Sequence, residues 1–183
     1  ASSTFRALSK LSMPLEKVVF LVNNELVESK FKGMFVTAVF GKFNTETGDV
    51  TFVNAGHESI MLFDKSLNFE FLKSELPPIG IIKYFAENMV VSKSINLKNK
   101  TFVVYTDGVT EGYLENGKEL GSEGVEEIIK NLKDLSPSSI VEGIASKLNW
   151  GADKLRDDIT CLALNFENTE LLKTKKWKIY SSL

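Results

Sequence analysis

Segments with the alternation and the β-branched residues of strands fill the middle of the chain, and only short polar turns separate them. Residues 34–43 (MFVTAVFGKF) and 50–56 (VTFVNAG) flank the polar segment NTETGD around Gly48. This pattern is typical of a β-hairpin, in which consecutive strands run antiparallel. The feature therefore predicts antiparallel sheets at the centre of the fold.

Five further strands and four helices are predicted from the remaining hydrophobic patterns. The strands are Ile60–Phe63, Phe69–Leu72, Met89–Ile95, Thr101–Tyr105 and Ile159–Phe166. The helices are Ser3–Lys10, Pro14–Ser29, Glu123–Lys133 and Pro137–Leu148, the last with Ser136 as its N-cap. Because the strands come in runs rather than alternating with helices, we predict an α+β fold with largely antiparallel sheets.

The segment LPPIG at residues 76–80 interrupts the strand pattern. Its adjacent prolines, Pro77 and Pro78, remove backbone donors that a central strand would need. We therefore expect a loop between strands, in which Ile79 and Ile81 anchor the segment on the core.

The length and the hydrophobic content fit one globular domain with a sizeable core. The chain has 183 residues, of which 43% are hydrophobic. We assign residues 1–166 to this domain and residues 167–183 to a C-terminal tail. The tail carries four lysines without a clear period, which is typical of a solvated segment.

Charge and hydropathy argue against two broad classes of function. Lys and Arg total 22 against 24 Asp and Glu, a net charge of -2, and no dense basic stripe is present for nucleic-acid binding. No window approaches the roughly 18 consecutive apolar residues of a membrane span. We therefore expect no nucleic-acid partner, no membrane span in this chain and a cytoplasmic location.

The first candidate for chemistry is Asp107, which follows the apolar strand TFVVYT at the point where Gly108 lets the backbone turn sharply. A carboxylate in this place is held by a rigid strand and projects beyond the end of the sheet. Asp-Gly after a strand is also a common turn signal. The residues alone therefore leave a functional carboxylate and a structural turn both open.

The second candidate is the pair Asp157–Asp158, which directly precedes the apolar run ITCLALNF. Adjacent carboxylates repel each other. A cation that neutralises one of them would explain why both are present beside a buried strand. An exposed acidic turn is the other interpretation of the same pair.

The sequence contains few residues that could bind a metal through nitrogen or sulfur, and this limits which metal ion a site could hold. His57 is the only histidine and Cys161 the only cysteine, so their count argues against a zinc site built from several such ligands. A Ser-His-Asp triad through His57 would lack the G-x-S-x-G elbow that seats a nucleophilic serine. Cys161 lies in an apolar run and is expected to act as a small buried hydrophobe. The aspartates therefore favour a hard, oxygen-ligated cation such as Mg²⁺ or Mn²⁺.

Four segments resemble, in order and approximate spacing, the phosphatase domain of the stage II sporulation protein E group within the phosphatase 2C class. They are NAGH (Asn54–His57), ELPPIGI (75–81), YTDGVTE (Tyr105–Glu111) and DDIT (Asp157–Thr160). The resemblance extends over about residues 30–166. It implies a sandwich of antiparallel β-sheets flanked by helices, with a two-metal centre at one end.

The resemblance also implies roles for individual residues. Asp107 and Asp157 match metal-binding aspartates of the family, so we expect both to serve catalysis as ligands of two Mn²⁺ or Mg²⁺ ions, with Asp158 as a further candidate ligand. The implied reaction is in-line attack on phosphoserine or phosphothreonine by a water activated between the two ions, without a covalent intermediate.

Four other residues are expected to support this centre. Gly108 and Glu111 belong to the same motif as Asp107, and Glu111 is expected to anchor the loop or to position a ligand. Asn54 is expected to form a turn. For His57, proton donation to the leaving oxygen and a hydrogen bond that stabilises the loop both remain open.

By the same resemblance, the substrate is expected to be a phosphorylated bacterial regulatory protein, such as an anti-sigma-factor antagonist. A sensor or regulatory domain upstream is also expected, and a dimer is left open. Family members carry two further aspartates, in a G-G-D-like strand and in a G-D-V-x-G-x-G segment, and this sequence contains neither motif. The domain is therefore expected to be incomplete at its N-terminus, and the alternative is a catalytically inactive pseudophosphatase that binds a partner protein.

Overall fold

The computed structural model describes residues 2–28, 33–84, 86–114, 116–148 and 158–166. Its backbone divides into two compact units. Of the described residues, those up to His57 and those from Lys73 to Asn96 form the first unit. Those from Glu58 to Leu72 and those from Leu97 onward form the second.

The first unit combines a three-stranded antiparallel sheet with two helices. The helices are α1 (Ser2–Leu8) and α2 (Leu15–Glu28), and the strands are β1 (Ala38–Phe43), β2 (Asp49–Ala55) and β5 (Lys93–Asn96). The strand order is β1-β2-β5, and a turn of 3-10 helix (Glu87–Met89) precedes β5. The predicted hairpin is thus present as β1 and β2, with Phe40 opposite Val53.

Helix α2 supplies the helical side of this unit's core because its apolar residues recur on one face. Val18, Val19 and Val22 are almost completely buried and belong to one cluster with Phe40 and Val53 of the sheet. Burial of apolar side chains of this size stabilises a fold by about 1.5 to 3 kcal/mol each. The first unit therefore has a hydrophobic core of its own.

The second unit is built around a four-stranded antiparallel sheet. Its strands are β3 (Ile60–Asp64), β4 (Phe69–Leu72), β6 (Lys100–Tyr105) and β7 (Cys161–Asn165), in the order β4-β3-β6-β7. Its helices are α3 (Asp107–Thr110), α4 (Gly121–Lys130) and α5 (Pro137–Lys147). Ser136 caps α5, since its hydroxyl accepts a hydrogen bond from the amide of Ser139 at 3.4 Å.

The core of the second unit joins α4 and α5 to the central strands. Val125 and Ile129 of α4 and Ile144 of α5 are almost completely buried, in one cluster with Met61 of β3 and Val103 of β6. The strands β3 and β6 are therefore fixed by packing along their length as well as by their ladder. This rigidity positions the residues at the ends of both strands.

The predicted α+β fold with antiparallel sheets is confirmed, and several element boundaries differ from the prediction, among them the start of the last strand, which is Cys161 rather than Ile159, and the end of α4, which is Lys130 rather than Lys133. The strand expected from residue 34 begins at Ala38, because Val36 pairs instead with Ile79 of the proline loop. The strand expected over Met89–Ile95 begins only at Lys93. The short helix α3 was not predicted.

The segment with Pro77 and Pro78 is a loop, as predicted, and Ile79 is completely buried in the core of the first unit. The prediction that Ile81 also anchors this loop is wrong, since Ile81 is 52% exposed. Gly80 lies between them with a φ of 97°. This left-handed residue changes the direction of the chain, and the isoleucine after it is left at the surface.

Two adjacent asparagines on α2, Asn23 and Asn24, hold the loop that follows Gly80. The Asn23 side chain, which is fully buried, accepts a hydrogen bond from the Gly80 amide at 3.0 Å and donates to the Ile82 carbonyl at 2.8 Å. Asn24 accepts from the Tyr84 amide and donates to the Tyr84 carbonyl. The pair satisfies loop backbone groups that have no strand partner.

The hydroxyl of Tyr84, in the same loop, is a buried polar group without a hydrogen-bond partner among the described residues. The residue is 1% exposed. Burial raises the pKa of Tyr84 above its ordinary value.

Across the described ranges, no helix combines the length and the apolar character needed to cross a membrane.

Candidate functional site

The sheet of the second unit brings the ends of three strands to the same side. Tyr105 at the end of β6 pairs with Cys161 at the start of β7. On the other side of β6, Val103 pairs with Met61 near the start of β3. Because these pairs are antiparallel, the residues that follow β6 and those that precede β3 and β7 lie along one rim, here called the strand-end rim.

Acidic residues come from all three segments of the strand-end rim. Asp107 follows β6, Asp158 precedes β7, and Glu58 precedes β3, and all three side chains are exposed. Glu58 was not among the residues that the sequence suggested. The sequence could have indicated Glu58, because it is an acidic residue directly after the NAGH motif.

Thr106 joins two of these segments beyond the regular ladder. Its Oγ1 donates a hydrogen bond to the Asp158 carbonyl at 3.0 Å. The same oxygen accepts from the Thr160 amide at 3.0 Å, and the Thr106 amide donates to the Thr160 carbonyl at 3.0 Å. The residue before Asp107 is thus in direct contact with the DDIT segment.

Asp107 is the first residue of the short helix α3. Its Oδ1 accepts a hydrogen bond from the Gly108 amide at 2.9 Å, and its carbonyl accepts from the Glu111 amide at 2.7 Å. Within the described part of the chain, no hydrogen bond or ion pair reaches its Oδ2. The carboxylate is therefore fixed by one oxygen and presents the other at the surface.

The sharp turn expected at Gly108 is replaced by this helical turn. Gly108 is buried and has no positive φ, so the left-handed freedom of glycine is not used there. Glu111 is exposed and follows α3 as its C-cap. Its amide closes the turn on Asp107, and the role expected for its carboxylate stays a prediction.

Asp157 lies outside the described residues, so its distance from Asp107 stays a prediction. Asp158, the next residue, is described, and its backbone contacts Thr106. Among residues 2–28, 33–84, 86–114, 116–148 and 158–166, no group of three or more His, Cys, Asp or Glu side chains could hold a metal ion.

Two titratable side chains near the rim are held in their neutral forms. Burial raises the pKa of Cys161 to about 12. Burial also raises the pKa of Tyr105 to about 12, and the negative charge of Glu58 adds to this shift. Since a thiolate is the form that binds metals or attacks a substrate, Cys161 offers neither function at neutral pH.

The NAGH motif forms a turn in the first unit. The side chain of Asn54 is buried, and its Oδ1 accepts a hydrogen bond from the His57 amide at 3.0 Å, which is the turn-forming role expected for Asn54. The Nδ1 of His57 lies 3.3 Å from the hydroxyl of Thr37.

Gly56 fits this turn closely against the proline loop. Its φ is 66°, and a Cβ built there would lie 2.4 Å from the Cγ of Pro78. Its amide donates to the Leu76 carbonyl at 2.8 Å and to the Ser74 hydroxyl at 2.7 Å, and that hydroxyl donates to the Asn54 carbonyl at 3.0 Å. The NAGH and LPPIG segments therefore form one hydrogen-bonded structure.

Comparison with protein families gives a match along most of the sequence. The family model described as Stage II sporulation protein E (SpoIIE) matches residues 1–167. No protein with a curated description matches the sequence.

Comparison with solved structures finds similar folds at low sequence identity. The SiaA-PP2C domain of Pseudomonas aeruginosa has a TM-score of 0.67 at 19% identity, over 90% of this chain and 66% of that one. The phosphatase domain of SpoIIE from Bacillus subtilis, presoaked with Mn, has a TM-score of 0.60 at 16% identity, over 90% and 71%. RsbX in complex with magnesium has a TM-score of 0.60 at 16% identity, over 88% and 70%.

The chain thus spans about two thirds to seven tenths of the length of these structures. At such identities the likeness shows the fold, which is that of phosphatase 2C domains. This likeness assigns no role to individual residues of the rim.

Proposed function

Because the chain belongs to the stage II sporulation protein E family, we propose that it is the catalytic part of a metal-dependent protein serine/threonine phosphatase. The observation that carries this proposal is the contact of Thr106 with the Asp158 carbonyl. It supports the expectation that Asp107 and the pair Asp157–Asp158, which come from distant parts of the sequence, serve one site at the strand-end rim.

The donor set of the rim fits manganese or magnesium. Both ions take hard oxygen ligands, and the exposed carboxylates of Asp107 and Asp158 supply such oxygens. A softer metal would call for thiolate or imidazole. Burial keeps the Cys161 thiol protonated by raising its pKa to about 12, and no second cysteine or histidine exists in the sequence.

In this proposal, two divalent ions at the rim would activate a water and offset the charge of the phosphoryl oxygens. Asp107 would hold the ions through the oxygen that does not bind the Gly108 amide. Asp157 would be the partner ligand, and Asp158 a further one. Glu111 would keep α3 closed on Asp107 through its backbone.

No side-chain nucleophile is needed for this chemistry. This agrees with a chain whose single cysteine is held as a neutral thiol. For His57 we retain proton donation to the leaving oxygen as a proposal. The hydrogen bond from the His57 amide to Asn54 supports the loop role for this motif.

For the substrate, we propose a phosphoserine or phosphothreonine on a bacterial regulatory protein, such as an anti-sigma-factor antagonist. A protein substrate suits a rim of exposed carboxylates better than a small molecule does, since small ligands usually bind in enclosed pockets. We also propose that a sensor or regulatory domain controls the enzyme and that it acts in the cytoplasm.

The assay that tests this proposal uses the full-length protein with a phosphothreonine peptide and a phosphotyrosine control peptide. With Mn²⁺ we expect release of phosphate from the first peptide, and none after chelation with EDTA. Restoration by added Mn²⁺ would show that the loss is due to the metal. Hydrolysis that persists in EDTA, or preference for phosphotyrosine, would contradict the proposal.

A further inference from the structure

Thr106 occupies the junction between β6 and the helical turn that begins at Asp107. Its backbone is extended, with φ of -80° and ψ of 161°, and it is the N-cap residue of α3. A threonine in this position commonly uses its hydroxyl to cap the helix. Here the side chain makes no capping hydrogen bond, so the hydroxyl serves another purpose.

The hydroxyl of Thr106 is instead used as both donor and acceptor on the DDIT segment. It donates to the Asp158 carbonyl and accepts from the Thr160 amide, each at 3.0 Å. The backbone amide of Thr106 adds a third hydrogen bond, to the Thr160 carbonyl at 3.0 Å. Together these bonds extend the contact between the two segments of the chain beyond the last ladder pair, Tyr105 and Cys161.

We propose that Thr106 is a positioning residue that fixes the site for the divalent ion by holding the backbone at Asp107 against the backbone at Asp158. This inference rests on the proposed function, since it concerns the same carboxylates. Asp107 is one peptide unit from Thr106, and Asp158 accepts the hydrogen bond itself. One hydroxyl therefore links the backbones of two acidic segments, since Thr106 and Asp158 are 52 residues apart in the sequence.

The physical reason is that a metal site tolerates little error in the placement of its ligands. Functional side chains have to be held within about 0.5 Å of their productive geometry. Neighbouring groups that orient the ligands typically change metal affinity 10- to 100-fold when they are lost. Since the hydroxyl bonds are at the surface, water can replace them in part, and the fold is expected to survive their loss.

The test compares Thr106→Val, Thr106→Ser and Thr51→Val in the full-length protein. Valine keeps the shape and removes both hydroxyl bonds, whereas serine keeps the hydroxyl. Thr51 is the matched control, because its hydroxyl also makes a bond at the protein surface, to Ser94 in the sheet of the first unit. Binding of Mn²⁺ is measured by calorimetry, and phosphatase activity is measured as a function of Mn²⁺ concentration.

We expect Thr106→Val to weaken Mn²⁺ binding about 10- to 100-fold, and to recover much of its turnover at high Mn²⁺. Thr106→Ser should bind within about threefold of the wild type, and Thr51→Val should be unchanged. Thermal unfolding without metal checks that the variants are folded. Should Thr106→Val fail to fold, Thr106→Ala takes its place with the same expectation.

Three outcomes overturn the inference. Unchanged Mn²⁺ binding by Thr106→Val, in a wild type that binds Mn²⁺ and is active, contradicts the positioning role alone. Equal weakening in Thr106→Ser or in Thr51→Val shows that the hydroxyl at this position is not the cause. A wild type that neither binds Mn²⁺ nor hydrolyses phosphopeptides contradicts the proposed function together with this inference.

Discussion

Replacing Asp107 with asparagine in the full-length protein is expected to lower manganese-dependent phosphatase activity by about 10²- to 10³-fold, comparable to the loss of a transition-state charge stabiliser worth roughly 3 to 4 kcal/mol. Asparagine keeps the size of the side chain and one oxygen. It removes the negative charge that compensates a divalent cation for its lost hydration. The activity should be measured over a range of Mn²⁺ concentrations with a phosphothreonine peptide.

The fold should survive this substitution, because Asp107 is exposed and its side chain binds only the neighbouring Gly108 amide among the described residues. Thermal stability without metal should hardly change, or rise slightly as repulsion between clustered carboxylates is relieved. Asp64→Asn is a suitable control, since Asp64 lies at the end of β3 that is away from the strand-end rim. Wild-type turnover of Asp107→Asn at low Mn²⁺ would contradict the catalytic assignment.

The second large effect is expected on stability, from Gly56→Ala. A methyl group at this position would lie 2.4 to 2.6 Å from the ring and nitrogen of Pro78, in a backbone with φ of 66°. A left-handed conformation costs a residue with a side chain about 1 kcal/mol or more, and overpacking against a rigid ring adds about 1 to 3 kcal/mol. We therefore expect a loss of roughly 3 kcal/mol in the free energy of unfolding, measured by urea denaturation.

Gly33→Ala separates these two contributions. Gly33 has a φ of 86°, but a Cβ there would have no atom of the described residues within 4 Å. Its replacement should cost only the conformational part, about 1 kcal/mol. Equal losses in the free energy of unfolding for the two variants would contradict this account, because they would mean that a methyl group at Gly56 meets no steric resistance from Pro78.

Much of the fold could be predicted from the sequence because local patterns carry it. The alternation around the NTETGD turn predicted the hairpin of β1 and β2, and the Ser-Pro pair at Ser136 predicted the start of α5. The strand before Asp107 was also predicted, since its apolar run is short and rich in β-branched and aromatic residues, which favours a strand over a helix. The site prediction started from such strand ends.

The remaining features depend on contacts between distant parts of the chain. Ile81 looked like a core residue by composition, and only the left-handed Gly80 and its contact with Asn23 leave Ile81 exposed. Asn23 itself gave a weak signal, as a polar residue beside the apolar face of α2. The partners of Thr106 could not be read from the sequence, because they are 52 and 54 residues away.

The central claim is that Asp107 and the Asp157–Asp158 pair serve one divalent metal site. The most direct test is anomalous scattering from crystals of the full-length protein soaked in Mn²⁺. We expect an anomalous peak within direct coordination distance of the carboxylates of both Asp107 and Asp157, which disappears in Asp107→Asn. Manganese peaks only at other places, in crystals of a protein that is active with Mn²⁺, would contradict the account.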